Sequence, residues 1–370
     1  MSRAREIADL GGSADAGGIT GRSLIINGGM TIAQRGTSST SSGYGTVDRT
    51  RAEFGGASVT QSQQALTSGS PYDAGHRNFF RCANTSTSSA TSAYLQINQE
   101  IEAQNVATSG WDATSSSSFI TMSFWARSSL AGTYNVLLKS HDGTAQGFSS
   151  AFTLVADTWK KIEVTISGNS SITINNDNGI GLRCYVVPFL GSDYTTSGHT
   201  SDAWQTLSNT NLTPDYAQNW ANTASATFDL TGWKVEIGEV ATTFEHEDMG
   251  TTLAKCQRYY FHTYKLGVAI GTSGTSNGAA YCRPSSSGAV TWHPNFVVVY
   301  PTPMRATPAL TFYSIGGTVD RISHVSSGFS HGTNDSVSAV YQMGERGIHG
   351  ITISTSSNIM GGHVLANAEL

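Results

Sequence analysis

The sequence predicts an all-β protein: an antiparallel β-sandwich, then a short helix, then a second β region. Three observations carry this. Short runs alternate apolar and polar residues with the two-residue period of a half-buried strand. These runs are bounded by Gly, Ser, Thr, Asn and Asp, the residues that make turns. No regular helical pattern is interleaved with them, which argues for an antiparallel sandwich over a parallel sheet with crossover helices. The 370 residues include 14 Tyr, 14 Phe and 7 Trp. These bulky side chains supply a core, so the polar composition reads as strand surface and turns, not disorder.

Taken in chain order, Ser2 to Leu10 comes first and places Ala4, Ile7 and Leu10 near one helical face. A lone helix needs about 12–15 residues to hold, so this segment is expected to dock on its own body, a sister chain or a partner. The plainer reading is a disordered tail. Gly11 to Gly21 reads as a flexible linker. The β pattern opens at Leu24. In Ser118 to Ala126, one face collects Ile120, Met122, Phe124 and Ala126. Ile162, Val164 and Ile166 share a face, as do Leu182, Cys184 and Val186, and Trp233, Val235 and Ile237. Asn175 to Gly179 is a turn cluster. A helix is predicted where Leu253, Cys256, Gln257 and Tyr260 recur at helical spacing, with Asp248, Thr251 and Thr252 offering N-cap acceptor oxygens. Beyond it, Asn295 to Tyr300 and Ile348 to Ile353 read as strands, which places a boundary near 250–262. No fixed repeat period points to a solenoid or propeller.

Charged residues make up 13% of the chain, against about 25% in an average soluble domain. Solubility then rests on hydroxyls and amides, which suits a chain that ends in an assembly. The net charge of −5 comes without a Lys/Arg cluster, so no nucleic-acid partner is expected. No apolar run approaches the ~20 residues of a membrane helix, so no membrane insertion is expected. Met1 to Arg22 lacks the apolar core of an export signal. Cys82, Cys184, Cys256 and Cys282 form no CxxC pair and read as buried thiols, so neither a metal nor a cofactor is expected.

Several stretches resemble bacteriophage tail-fibre and related virion proteins. Leu24 to Met30, followed by Ile32 to Ser38, resembles the opening of that family, and Tyr44, Asp48 and Arg49 match its Tyr and Asp-Arg pair. Thr50 departs from the Trp usual there. Ser123 to Ser128 and Asp157 to Lys161 resemble strands of its carbohydrate-binding-module-like sandwich. Val235 to His246 followed by Leu253 to Tyr260 resembles its sandwich-to-helix join, and Tyr300 to Pro308 the start of its distal domain. Ser2 to Ala8 is similar to the virion-attachment segment of marine podophage fibres. The resemblance implies a homotrimer anchored by an N-terminal segment and linker at 1–22, with Arg3, Arg5, Ile7 and Leu10 in the attachment. A jelly-roll-like sandwich would follow at 23–250, a connecting helix at 251–262 and a distal β domain at 263–370. The implied partners are a phage tail adaptor or nozzle protein and a host surface glycan. The implied location is the virion tail, after folding in the host cytoplasm.

Loop aromatics in Ser/Thr/Asn-rich stretches are the candidate receptor contacts: Trp111, Tyr194, Trp204, Tyr216 and Trp220, and distally Tyr281, Trp292, Phe329 and His331. The alternative for the 191–225 stretch is packing on a neighbouring chain. Gln34-Arg35-Gly36 offers a binding loop or, more plainly, a turn with Arg35 paired inside the sandwich to a residue such as Asp48. Trp125 and Trp159 are assigned to core packing by their strands, over stacking on sugars. Glycosidases need two carboxylates flanking one bond, and no motif supplies them. Glu245 to Asp248 reads as an acidic lead-in to a helix N-terminus. The chain is therefore expected to be a non-enzymatic adhesive fibre subunit. The competing expectations are a tailspike-like glycan hydrolase and a purely structural virion component, either a tail adaptor partner or a capsid decoration.

Overall fold

A computed structural model describes residues 23–282, 292–325, 331–353 and 359–370. The attachment segment with Arg3, Arg5, Ile7 and Leu10 lies outside the described residues, as do Phe329 and the side chain of His331. The described chain is almost wholly β, and every strand pair in its sheets is antiparallel. It divides into two compact units, one running to Asp248 without Gln34–Gly36, the other joining Gln34–Gly36 to Met249–Glu369.

The first unit contains β1 (Ser38–Ser39), β2 (Arg51–Gly55), β3 (Ser58–Ala65), α1 (Ser70–Asp73), β4 (Asn78–Ser86), β5 (Tyr94–Glu102) and α2 (Ala103–Ala107). It continues with β6 (Phe119–Ser128), β7 (Gly132–Ser140), β8 (Gln146–Leu154), β9 (Lys160–Ser167), β10 (Ile180–Leu190), β11 (Trp204–Thr206) and β12 (Thr227–Ile237). The first sheet has the order β1-β3-β4-β12-β6-β9 and the second β11-β8-β7-β10-β5-β2. Their inner faces form one continuous core. Phe80, Phe124, Phe228 and Leu230 of the first sheet belong to the same cluster as Ile97, Val136, Leu138, Leu182 and Val186 of the second.

Alternation explains the membership. Ile120, Met122, Phe124 and Ala126 all point inward and are buried, because side chains two apart share a face. The β6–β9 register sets Phe124 opposite Ile162 and Ile120 opposite Ile166. Each such side chain contributes roughly 1.5–3 kcal/mol by leaving water.

The Leu24 to Met30 stretch also belongs to this unit, held by hydrogen bonds specific to its residues. Leu24 N donates to Val235 O (2.7 Å) and Trp233 N to Gly28 O (3.0 Å). Asn27, at φ 60°, accepts from the amides of Thr31 (2.9 Å) and Ile32 (3.0 Å) through Oδ1. Its Nδ2 donates to the carbonyls of Ile32 (2.9 Å) and Asp48 (3.0 Å). A Cβ on Gly28 would stand 1.8 Å from Trp233 O, so only glycine allows the approach.

The second unit contains α3 (Met249–Gln257), β13 (Tyr260–His262), β14 (Ala280–Cys282), β15 (Trp292–Val299), β16 (Ala309–Ser314), β17 (Arg321–Val325), β18 (His331–Val340), β19 (Gly347–Ile353) and β20 (Met360–Asn367). One sheet gathers these strands. β20 pairs with β13, β14, β16 and β17. The sheet then continues through β18 and β19 to β15. Phe296, Ile322, Ile348, Ile351 and Val364 sit in its core.

Helix α3 ends at Gln257, not at 262. Tyr260, expected on its apolar face, opens β13 opposite Asn367. The ladder to β20 and the turn at 34–36 compete with another helical turn. Gln34 Nε2 donates to Tyr260 O (2.8 Å), and Arg35 lies 3.5 Å over the Tyr260 ring. Arg35 also pairs with Glu369 at 3.0 Å. Gln34-Arg35-Gly36 is thus a structural clasp within the second unit, not a pairing inside the sandwich.

Candidate functional site

Because strand side chains alternate, the residues between the core positions of the second sheet project to its outer face. From β7 these are Leu137 and Lys139, from β10 Arg183 and Tyr185, from β5 Asn98 and Glu100, and from β2 Arg51 and Glu53. The registers align them in rows. Tyr185 stands between Leu137 and Asn98, Arg183 between Lys139 and Glu100, and Arg51 opposite Asn98.

This face has an apolar and a polar zone. In the apolar zone Leu137, Tyr185, Val187 and Leu190 are buried under Tyr194, Leu207, Leu212 and Tyr216 from the 191–216 segment. Tyr216 donates from its hydroxyl to Val187 O (3.0 Å), and burial pushes its phenol pKa up. Tyr194 meets Tyr94 edge-on at 5.8 Å between ring centroids, at the border of the polar zone.

In the polar zone Glu100 is the hub, its side chain without exposed surface. Its Oε1 accepts from Arg51 Nη1 at 3.0 Å and from Arg183 Nη2, and its Oε2 from Tyr44 Oη at 3.2 Å. Arg51 also reaches Glu53 at 2.9 Å. Glu53 accepts from Asn98 Nδ2 at 2.8 Å. Arg183 donates to Tyr185 Oη at 3.0 Å. Lys139 and His141 close the zone. Burial, then Arg183, lowers the Lys139 pKa, and burial, then Arg183 and Lys139, brings His141 down to about 4. Asn98 Oδ1, Arg183 Nε and His141 Nε2 are buried atoms with no hydrogen-bond partner among the described residues. Chemically, the zone offers guanidinium, ammonium and amide donors, carboxylate acceptors and half-buried tyrosine rings. That is the mixture suited to sugar hydroxyls and the apolar faces of sugar rings.

Of the sequence-proposed receptor contacts, Tyr194 borders the polar zone and Tyr216 is packed into the apolar zone; the others with described side chains fall elsewhere. Trp220 is 0% exposed and Trp111 5%. Both are core residues, with Trp111 Nε1 bonded to Ser118 O at 3.3 Å. An indole carries more apolar area than a turn can leave in water, so Ser/Thr neighbours do not keep it on the surface. Trp204 is half-buried, its indole N–H given to Ser167 O (2.7 Å). Distally, Tyr281 packs over Gly361, and Trp292 is 50% exposed with Tyr341 edge-on. The core assignment of Trp125 and Trp159 is corrected too, since both are half-buried on the outer side of the first sheet. Arg127 lies 4.7 Å over the Trp159 ring and pairs with Asp229 at 2.7 Å.

Apart from Tyr44, noted only for its resemblance, the residues of the polar zone were not singled out from the sequence. A signal existed in Tyr94 to Glu102, where Gln96, Asn98 and Glu100 alternate with Leu95, Ile97 and Ile101.

No family profile and no curated protein matches the chain. Several solved structures do, weakly. The enzymatically active domain of tailspike protein 4 from bacteriophage CBA120 matches over 58% of this chain and 21% of its own, at 8% identity and a TM-score of 0.33. The chain thus spans about a fifth of that protein. The N-terminal cellulose-binding domain of β-1,4-glucanase C from Cellulomonas fimi matches over 57% of this chain and 99% of its own, at 9% identity and a TM-score of 0.29. A family 11 carbohydrate-binding module from Clostridium thermocellum matches over 57% and 98%, at 12% identity and a TM-score of 0.26. Likeness at this level carries no argument about activity or ligand.

Proposed function

We propose that this protein is a phage tail-fibre subunit that adheres to host-surface glycan through the polar zone of its second sheet, without cleaving it. The observation that carries the proposal is that zone. Half of the outer face is sealed by the 191–216 segment. The other half keeps Arg51, Glu53, Lys139, Arg183 and Tyr44 only partly buried beside the Tyr94–Tyr194 pair. Ligand sites combine apolar walls with a few convergent polar groups in this way. Adhesion is favoured over hydrolysis because Glu53 and Glu100 are both tied to Arg51, an arrangement that suits holding charge better than passing protons.

Assembly of three copies is supported by the second unit. Eight of the ten exposed large hydrophobic side chains among the described residues lie there, from Met249 to Met343. Val297 and Val299 sit on β15 and are exposed, apolar surface that gains from cover by another chain. The resemblance of Val235 to Tyr260 to virion proteins supports a position on a tail, where three weak sites gain avidity.

The test is binding of the purified protein to an array of bacterial surface glycans, with light scattering for mass and labelling on intact particles for position. The expected result is a trimer at the tail that binds glycan, releases no reducing ends, and loses binding on Tyr44→Ala and Arg51→Ala. A monomer that binds no glycan and does not slow phage adsorption overturns it. Release of reducing ends that stops with Glu53→Gln establishes a hydrolase instead, and labelling at the collar or head a purely structural component.

A further inference from the structure

We infer that the glycan held by the polar zone is acidic, with a carboxylate or sulfate of the sugar seated against Lys139 and Arg183. This rests on the glycan-binding reading above. Lys139 on β7 and Arg183 on β10 are direct cross-strand partners, and like charges directly opposite one another destabilise a sheet. His141, two residues beyond Lys139, adds an imidazole at the same end, kept neutral down to about pH 4 by burial, then by Arg183 and Lys139. The anions in reach are committed elsewhere. Glu100 is shared by Arg51, Arg183 and Tyr44. Glu53 is held by Arg51 and Asn98, and Glu102 accepts from Gln104. Lys139 makes no hydrogen bond or ion pair among the described residues, where its one favourable charge interaction is with Glu53.

A half-buried ammonium on a strand position directly opposite a guanidinium carries an electrostatic cost. An anion bridging the two removes it, through charge-assisted bonds that are shorter and stronger than neutral ones. Burial first, and Arg183 second, lower the proton affinities of Lys139 and His141. Neutral sugars gain nothing from this corner, so the zone discriminates by charge as well as by hydroxyl pattern.

The experiment measures binding of the full chain to polygalacturonate, to its methyl ester and to a sulfated galactan, at low and physiological salt. The expected result is at least tenfold tighter binding to one acidic polymer than to the neutral ester. That preference is lost in Lys139→Met and kept in Lys139→Arg and in a remote control, Lys161→Met. Which acidic polymer wins distinguishes carboxylate from sulfate. Equal binding of acidic and neutral polymers overturns the inference and leaves glycan binding standing. A preference that survives Lys139→Met, or falls equally in Lys161→Met, overturns it as well. Binding of none of the three, with none on the glycan array, overturns both readings.

Discussion

Changing Glu100 to Gln tests whether the polar zone is held together by charge. The substitution keeps shape and one carbonyl acceptor but removes the anion between Arg51 and Arg183. At 4 Å and an effective dielectric of about 20, one such pair is worth about 4 kcal/mol before desolvation. Breaking a fully buried pair typically costs about 3–5 kcal/mol. Here the arginines keep 28% and 16% of their side chains exposed while Glu100 keeps none. Water can therefore re-solvate the cations, and the expected loss is about 2–3 kcal/mol. Six of the seven tryptophans lie in the first unit, so tryptophan fluorescence in urea reads this loss directly. The expected companion is a melting point lower by roughly 4–12 °C for a unit of this size. Adding Lys139→Met to Glu100→Gln should restore part of the loss, since one of the repelling cations is then gone. A loss below about 1 kcal/mol, the size of a surface ion pair, with no rescue by Lys139→Met, would refute the reasoning.

Other outcomes follow from separate features. Gly28→Ala should cost more than about 3 kcal/mol or prevent folding, while Gly29→Ala, whose nearest neighbour would be at 3.7 Å, should be almost silent in the same urea titration. His76, 2% exposed, has its pKa brought to about 4 by burial, then by His246 and Arg77. The unfolded chain thus takes up a proton near pH 6.5 that the folded one refuses until about pH 4, and stability falls with pH through that window, by up to about 3 kcal/mol. His76→Gln should flatten this part of a pH–stability profile, and an unchanged profile would count against the burial argument. Arg35→Ala removes both the Glu369 pair and the cover over Tyr260. Calorimetry should show the second unit destabilised by about 2–4 kcal/mol while the transition of the first is unmoved.

The core was legible in the sequence because alternation is a local property. Phe124 and Met122 could be assigned to the interior from the eight residues around them. Tyr260 was misread because a three-residue strand and the last turn of a helix present the same apolar spacing, and only the ladder to β20, about a hundred residues on, decides between them. The polar zone was hidden for a related reason. Arg51 and Arg183 lie 49 and 83 residues from Glu100, and each alone looks like any charged residue on a strand. Trp111 and Trp220 were misplaced because polar neighbours describe the backbone around an indole, not the depth to which the indole reaches.

The four-fold pairing of β20 bears on the timing of synthesis. Strands β13, β14, β16 and β17 each find a ladder on a segment made after all of them. The first unit has all its strands by Ile237 and can close while the rest is still being translated. The second must keep its strands waiting, with apolar faces and edges open, until Met360 to Asn367 has left the ribosome. Contacts of such long sequence separation also form slowly. In that interval several growing copies on one message stand side by side with matching unsatisfied edges, so the same delay that exposes the chain to aggregation also gives sister chains time to meet.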